Sequence, residues 1–457
     1  FTFDKSKPLL SFIKTIEHPE AISTIYLTDE SFIADSGHSI TIFSNYIPQR
    51  TINLPRGKTV SKIIQQKNLL FISFIEGECM KYNLEDGSEE KLSNLPEKIS
   101  ISTIYKSSQD VLWIGTDGQG ILKVYEYKSP FHTIRTNYPT RCFCEEDNGN
   151  ILAGTKGEGI LLIDKQNGKA KSYLTIADGL ISNSVYAIRK NMSGDIFIGT
   201  EGEGVNYMMR NDKRIKKLNI PPKFPSFKAI YSILFTHNDS LLWLGTSGFG
   251  LIKLHLCREG QEYKVTDIKQ YKSPGSASPS HNIIYSVIAG YDNNTIWIGT
   301  RGGGINRLNI STEQFEELSD INADLSLTNN DILYLAKGDS ASIWIGTSYG
   351  LNRLSSANGL TSITEYTDNN GLLNNTIHSI IESNNQHIWL STNNGLSAID
   401  LTLGEITNYS SRDGLQNDEF SDGAIFKDKA GWLYFGGVSG LNYFDENKIR
   451  LRDHIAT

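Results

Sequence analysis

The sequence predicts an all-β protein, a β-propeller of four-stranded antiparallel blades. Three observations carry this. The hexapeptide "GTRGGG" at 299 has four close relatives, "GTDGQG" at 115, "GTKGEG" at 154, "GTEGEG" at 199 and "GTSGFG" at 245, and shorter forms follow at 346, 391 and 436. Each copy is headed by a large apolar residue: Trp113, Leu152, Phe197, Trp243, Trp297, Trp344, Trp389 and Tyr434, with weaker copies at Phe32 and Phe71. Successive heads stand 39, 42, 39, 45, 46, 54, 47, 45 and 45 residues apart, a period of one blade per repeat. Finally, no segment has helical periodicity. Glycine is abundant at 40 residues and proline scarce at 12, with 21 Tyr and 19 Phe, a composition suited to strands and tight turns.

One unit, residues 179 to 210, justifies the blade in order. "SVYAIR" is β-branched and alternating, hence a first strand. "KNMSGD" is a turn cluster, and "IFIGT" a second strand. "EGEG" is a turn in which glycine supplies positive φ. "VNYMM" is a third strand, and "IKKLNI" at 215–220 reads as the fourth. The heading aromatic is a plate that packs between neighbouring blades. The glycine of "IGT" fits where backbones crowd near the axis. Asn183, Asn282, Asn330 and Asn375 stand just before first strands, where a side-chain oxygen caps the turn into the strand, and Asp418 replaces them in the last unit. Taken alone, "WIGTRGGGINRL" resembles a phosphate-binding loop. Its recurrence in blade after blade assigns those glycines to the scaffold instead.

The ten copies divide unequally. "EYKSPFHTIRTNYP", residues 126 to 139, interrupts the pattern with two prolines. Seven units follow it, and 138–457 reads as a complete seven-bladed ring. Residues 1–130 read as the last three blades of a preceding propeller, a partial stack that must cover its open sheet edge. A single ten-bladed ring is the alternative.

"DGLISNSVYAI", "IWIGTSYGLNRL", "NGLLNNTIHSI" with "HIWLSTNNGLSAID", and "DGLQNDEFSDGAIF" with "YFGGVSGLNYF" resemble the two-component regulator propeller repeats. They are most similar to the form found in hybrid two-component sensors of gut Bacteroidetes, and "KSPFHTIR" looks like the join between the two propellers of such a sensor. The resemblance implies a periplasmic ectodomain of two seven-bladed propellers that detects glycan breakdown products and switches on polysaccharide-utilisation genes. An immunoglobulin-like domain, a membrane helix, a histidine kinase, a receiver and a DNA-binding domain normally follow. With ten repeats, this chain is expected to be a fragment of such a sensor. It is expected to meet the membrane only through missing C-terminal segments and to form a homodimer through the full-length ectodomain.

Composition narrows the chemistry. A net charge of -7 argues against non-specific nucleic-acid binding. No apolar run has the length of a membrane helix, and "FTFDKSKPLLSF" lacks the layout of a signal peptide. The four cysteines form no CxxC or zinc spacing, and Cys142 and Cys144, two apart on one strand, make a poor disulfide. No metal or cofactor is expected. Of the nine histidines only His281 and His378 sit at first strands, two blades apart, so no catalytic residue is assigned. A propeller lyase or glycosidase, and a protein-interaction scaffold, remain the alternatives to a sensor.

In such a blade the second-to-third turn and the blade-to-blade connection emerge on one face. A repeating scaffold acquires a site where its loops differ. The expected ligand contacts are therefore Glu158, Glu203, Phe249, Arg301, Tyr349, Asn393 and Asn394, with Asn306, Arg307, Asn352 and Arg353 on adjacent third strands. Aromatic platforms and planar polar groups suit an oligosaccharide, and the arginines suit an acidic sugar. The recurrence of Arg307 and Arg353 in "NRL" points the other way, to a scaffold role.

Overall fold

In a computed structural model, residues 18–449 are described, apart from 28–31, 93–94, 96–100, 108–110, 126–128, 166, 223–225, 276, 319–324, 340, 358–359 and 384–385. The segment "FTFDKSKPLLSF" lies outside the described residues. Among the described residues the strands form ten antiparallel sheets, nine of four strands and one of three. The chain divides into two compact units, Phe1–Lys128 and Ser129–Thr457.

The first unit holds three sheets. Two of them, spanning Thr24–Asn53 and Val60–Lys91, share a core of Ile33, Ile40, Val60, Leu70 and Phe74. The third, from Ile101 to Tyr125, packs on the second through Phe71, Cys79, Ile104, Leu112 and Ile114.

In the second unit, seven inner strands run Thr140–Glu145, Val185–Lys190, Ile230–Thr236, Ile284–Ala289, Ile332–Lys337, Ile377–Glu382 and Phe420–Lys427. They define blades I to VII. Each inner strand lies beside the next, and the seventh lies beside the first. Seven blades, not ten, therefore close the ring. Closure is made by His132–Arg135, which precedes blade I yet pairs with Gly440–Phe444 as the outermost strand of blade VII. A ring starting at 138 omits this strand. Four residues with one buried apolar side chain, Ile134, display no alternation by which to recognise it. The fourth strand of blade II also differs, running Asp212–Lys217 rather than 215–220. It follows the third strand through a two-residue hairpin, with Met209 opposite Asp212, and Leu218 is left as a buried loop residue.

The "IGT" glycine has a geometric cause. A Cβ on Gly199 would lie 2.7 Å from Ile230 Cγ2, on Gly245 2.9 Å from Ile284, on Gly299 2.7 Å from Ile332, and on Gly346 2.9 Å from Ile377. In these four the obstructing group is the first residue of the next inner strand. The bare glycine is thus a seat for the next blade's β-branched side chain. At the ring seam a Cβ on Gly436 would lie 2.6 Å from the Thr140 carbonyl oxygen. One position further out, the heading aromatics fill the same interface. Phe197 packs with Ile230 and Leu242, Trp243 with Ile284 and Ile296, Trp344 with Ile377 and Ile388, and Trp389 with Phe420 and Phe435. Tyr434 of blade VII joins Phe143 and Ile151 of blade I. The four cysteines are free, and burial pushes the Cys144 thiol up to about 11.

Filling a seat should be costly and should depend on its occupant. Gly299→Ala is expected to cost about 1–3 kcal/mol by overpacking. Combined with Ile332→Ala, it should cost less than the two single changes summed. Urea unfolding of the four proteins of this cycle measures the coupling, and strict additivity contradicts the seat.

Candidate functional site

The "GTxGxG" turns and the connections between blades share one face, zipped together by backbone bonds. The N–H of Gly159, Gly250, Gly304 and Gly350 donates to the carbonyl of Asn183, Asn282, Asn330 and Asn375 at 2.6–3.0 Å. The third glycine of the motif has positive φ in each, from +72° to +109°. The motif threonine closes the turn from within: Thr246, Thr300 and Thr347 donate to the carbonyls of Gly250, Gly304 and Gly350 at 2.6–2.9 Å. The pre-strand asparagines act on the loop behind them rather than on the turn into the strand. Asn183 Oδ1 accepts from Ile176 N at 2.9 Å and Asn375 Oδ1 from Asp368 N at 2.7 Å. Asp418 does the same, accepting from Ser411 N at 2.6 Å.

The residues expected to contact ligand separate into three groups. Asn306 and Asn352 are buried. Their Oδ1 atoms accept from Ser280 N at 2.8 Å and Thr328 N at 3.0 Å, holding the connection in place. Arg307 and Arg353 stand directly across the sheet from Trp297 and Trp344, and their guanidiniums lie 5.9 and 5.1 Å from those ring centres. Arg307 also pairs with Glu316 of the fourth strand and Arg353 with Asp339, so all four residues of this group are engaged by the scaffold. A second group lies away from the channel lining. Glu203, Asn394 and Tyr349 are exposed, Glu158 accepts from Asn137, and Phe249 lies beneath Lys272 at 6.0 Å. The third group, Arg301 and Asn393, bonds to inner-strand residues beside the axial channel, Tyr285 and His378.

That channel holds a cavity of about 390 Å³. It is lined by residues at one repeated position, the second residue of the inner strand, Arg141, Tyr186, Tyr231, Tyr285 and Leu333 in blades I to V; His378 holds the same position in blade VI. In blades I to VI a β-bulge falls at this position, leaving that residue outside the pairing register. A bulge re-aims a side chain without interrupting the sheet. Four of these residues form a continuous arc. Arg141 lies 5.3 Å from the centre of the Tyr186 ring, Tyr186 is 4.7 Å from Tyr231, and Tyr231 meets Tyr285 edge-on at 5.2 Å. Arg301 completes the arc by donating to the Tyr285 hydroxyl at 3.1 Å. Three tyrosines are thus bracketed by two guanidiniums.

Opposite the arc, Asp422 of blade VII accepts from His378 Nδ1 at 2.6 Å, and His378 Nε2 donates to Asn393 Oδ1 at 2.7 Å. Asp422 lies in a wider irregularity of its strand, beside Gly423 at φ +67°. Burial opposes charge on His378, but its bonds to Asp422 and Asn393 prevail and its pKa is raised. Burial likewise opposes the Asp422 carboxylate, yet His378, Arg141 and Arg301 hold its pKa below the usual carboxylate range. Burial raises the Tyr285 phenol, so it remains a neutral donor. Oxygen atoms at both ring nitrogens favour the protonated imidazole, which pairs with Asp422. Among the described residues, no group of three or more His, Cys, Asp or Glu side chains is placed to hold a metal.

Residues 371–394, which run from Gly371 through His378 to Asn393 and Asn394, match the family described as two component regulator propeller. The match falls within blade VI. Over 407 residues it is 25% identical to Histidine kinase P4 of Formosa agariphila, a match covering 77% of this chain and 28% of that protein. The extracellular domain of a hybrid two-component system from B. thetaiotaomicron superposes with a TM-score of 0.65 at 24% identity, over 94% of this chain and 57% of that one. The extracellular domain of a one-component system from the same organism gives 0.57 at 17% identity, over 97% and 67%. A streptogramin B lyase gives 0.52 at 17% identity, over 68% and 96%. These superpositions establish the propeller fold. The chain spans about a quarter of the histidine kinase's length and just over half of the first ectodomain.

Two expectations follow from this geometry. Asn352→Ala strips a buried loop N–H of its partner and should cost about 1–3 kcal/mol, whereas Asn394→Ala should stay within about 0.5 kcal/mol. Calorimetric melting separates them. The second concerns pH. The raised pKa of His378 contributes stability in full below about pH 6.5, lost as pH rises through the folded value; the lowered pKa of Asp422 contributes above about pH 3.9, lost as pH falls through its own. The melting-temperature gap between the native chain and Asp422→Asn should therefore be wide near about pH 5.5 and narrower near about pH 9. A gap that widens toward alkaline pH contradicts the pairing.

Proposed function

We propose that this chain is the ligand-sensing part of the periplasmic ectodomain of a hybrid two-component sensor, and that it binds glycan breakdown products in the axial pocket of its seven-bladed ring. The observation that carries this reading is the arc of Tyr186, Tyr231 and Tyr285 between Arg141 and Arg301. Sugars present apolar C–H faces to stack on aromatic rings and hydroxyls to pair with planar polar groups, and the arc offers both. A cavity of about 390 Å³ lies within the ~300–1,000 Å³ typical of small-ligand sites. The matching repeat and the likeness to extracellular domains of B. thetaiotaomicron systems are in keeping with this role. In that setting a homodimer of the full-length ectodomain would pass the binding event onward, to a kinase such as the one the Formosa relative is named for.

The His378–Asp422 pair and the fold shared with a lyase favour a second reading, catalysis at the same mouth. A general base needs a free lone pair, and both nitrogens of His378 are engaged with oxygen acceptors. Binding without turnover is the better account.

A panel of short oligosaccharides, followed by melting temperature and by chromatography of the sugars, tests the two together. A member of the panel should raise the melting temperature and be recovered intact. Tyr231→Ala should abolish the shift and Arg307→Ala should preserve it. Recovery of cleaved sugar would favour the lyase reading, and no shift with any member would sink the sensor.

A further inference from the structure

We infer that the axial pocket takes an anionic saccharide, a short sugar bearing a carboxylate or sulfate held between Arg141 and Arg301. This rests on the reading of the pocket as a saccharide site and specifies its ligand. The charge of the cavity opposes that of the chain. The protein is acidic overall, at -7. The cavity wall carries five cationic side chains, Arg141, Arg189, Lys190, Lys427 and Lys429, against two carboxylates, Glu145 and Asp422. Arg301 adds a cation at the mouth through Tyr285.

Both carboxylates are already engaged. Glu145 accepts from the Lys429 backbone N–H at 3.0 Å, and Asp422 accepts from His378 at 2.6 Å. Among the described residues, neither Arg141 nor Arg301 makes an ion pair, whereas Arg307 and Arg353, their counterparts outside the channel, each have one. Arg141 is spread over the Tyr186 ring and Arg301 uses one N–H on the Tyr285 hydroxyl. A guanidinium carries five N–H donors in a planar fork that matches a carboxylate or sulfate. A neutral sugar would be served by amides and carboxylates that accept from its hydroxyls. Lys190 pairs with Asp147, Arg189 donates to the Ile233 carbonyl and Asp422 attracts both arginines, yet five cations face two carboxylates across this wall, an excess that an anionic substituent relieves. The three rings between the two arginines give the sugar face its platform, so charge and stacking are satisfied by one small molecule.

Titration calorimetry on the whole chain tests this with four probes: digalacturonic acid, a 6-sulfated chondroitin disaccharide, neutral galactobiose and inorganic sulfate. At least one anionic disaccharide should bind roughly tenfold or more tighter than galactobiose. Its affinity should fall about tenfold or more in Arg141→Gln and in Arg301→Gln, and weaken with added salt. Arg301 lies on an exposed turn, so Arg301→Gln keeps its native melting temperature and separates binding from folding. Binding of galactobiose as tightly as the anions, abolished by Tyr231→Ala, would overturn the anionic ligand while leaving the saccharide pocket standing. Binding of sulfate alone, an adventitious ion only, would overturn the saccharide and the proposal. Silence from all four probes, or binding indifferent to Arg141, Arg301 and Tyr231, would overturn it as well.

Discussion

The ring depends on one steric constraint repeated around the axis: a β-branched side chain seated on a bare glycine of the blade before it. Ile230 on Gly199, Ile284 on Gly245, Ile332 on Gly299 and Ile377 on Gly346 set how closely adjacent inner strands approach. The plates Phe197, Trp243, Trp344 and Trp389 then fill the wider part of each wedge. Small residue inside and large residue outside is what a stack of wedges needs to curve into a circle. Blade VI is the exception, with Ser391 at the seat, where its hydroxyl pairs with Ser379 at 2.6 Å.

Once that spacing is set, the face above it divides its work. The turns are stitched to the connections by glycine amides, motif threonines and buried asparagines, leaving their backbones little freedom. Variation that can serve a ligand is pushed to two places: the loop tips and the bulged second residue of each inner strand. Of the expected contacts at the tips, Arg301 and Asn393 bond to inner-strand residues, Tyr285 and His378. The bulged residues converge because the ring makes them converge. A site built on strands is held more rigidly than one built on loops.

The fold was largely legible because its causes are local. Each "GTxGxG" turn declares its positive-φ glycines, and each heading aromatic declares its blade. The closing strand was hidden because His132–Arg135 takes its meaning from Gly440–Phe444, some three hundred residues away. The site was legible only in part. Comparison of loops singled out Arg301 and Asn393, which bond to Tyr285 and His378 of the inner strands, whereas Asn306 and Asn352, drawn in by their polarity, are buried and hold the connections between blades. The tyrosines were missed because a period-two strand has no place for a bulge. "VYAI", "IYSI" and "IYSV" look like ordinary strand segments, and their one clue is a position that runs Arg, Tyr, Tyr, Tyr, Leu, His within an otherwise uniform strand. His378 and Asp422 lie forty-four residues apart, and no spacing rule joins them.

The seam of the ring has a mechanical consequence. The chain arrives through His132–Arg135 and departs after Gly440–Phe444, and these are neighbouring strands of one sheet. Both leads of the ring are anchored to blade VII, and a pull on either is borne by the same ladder, four rungs long. The inner strand of that sheet carries Asp422 against His378. Tension on either lead of the backbone therefore falls on the blade whose inner strand supplies Asp422 to the channel wall.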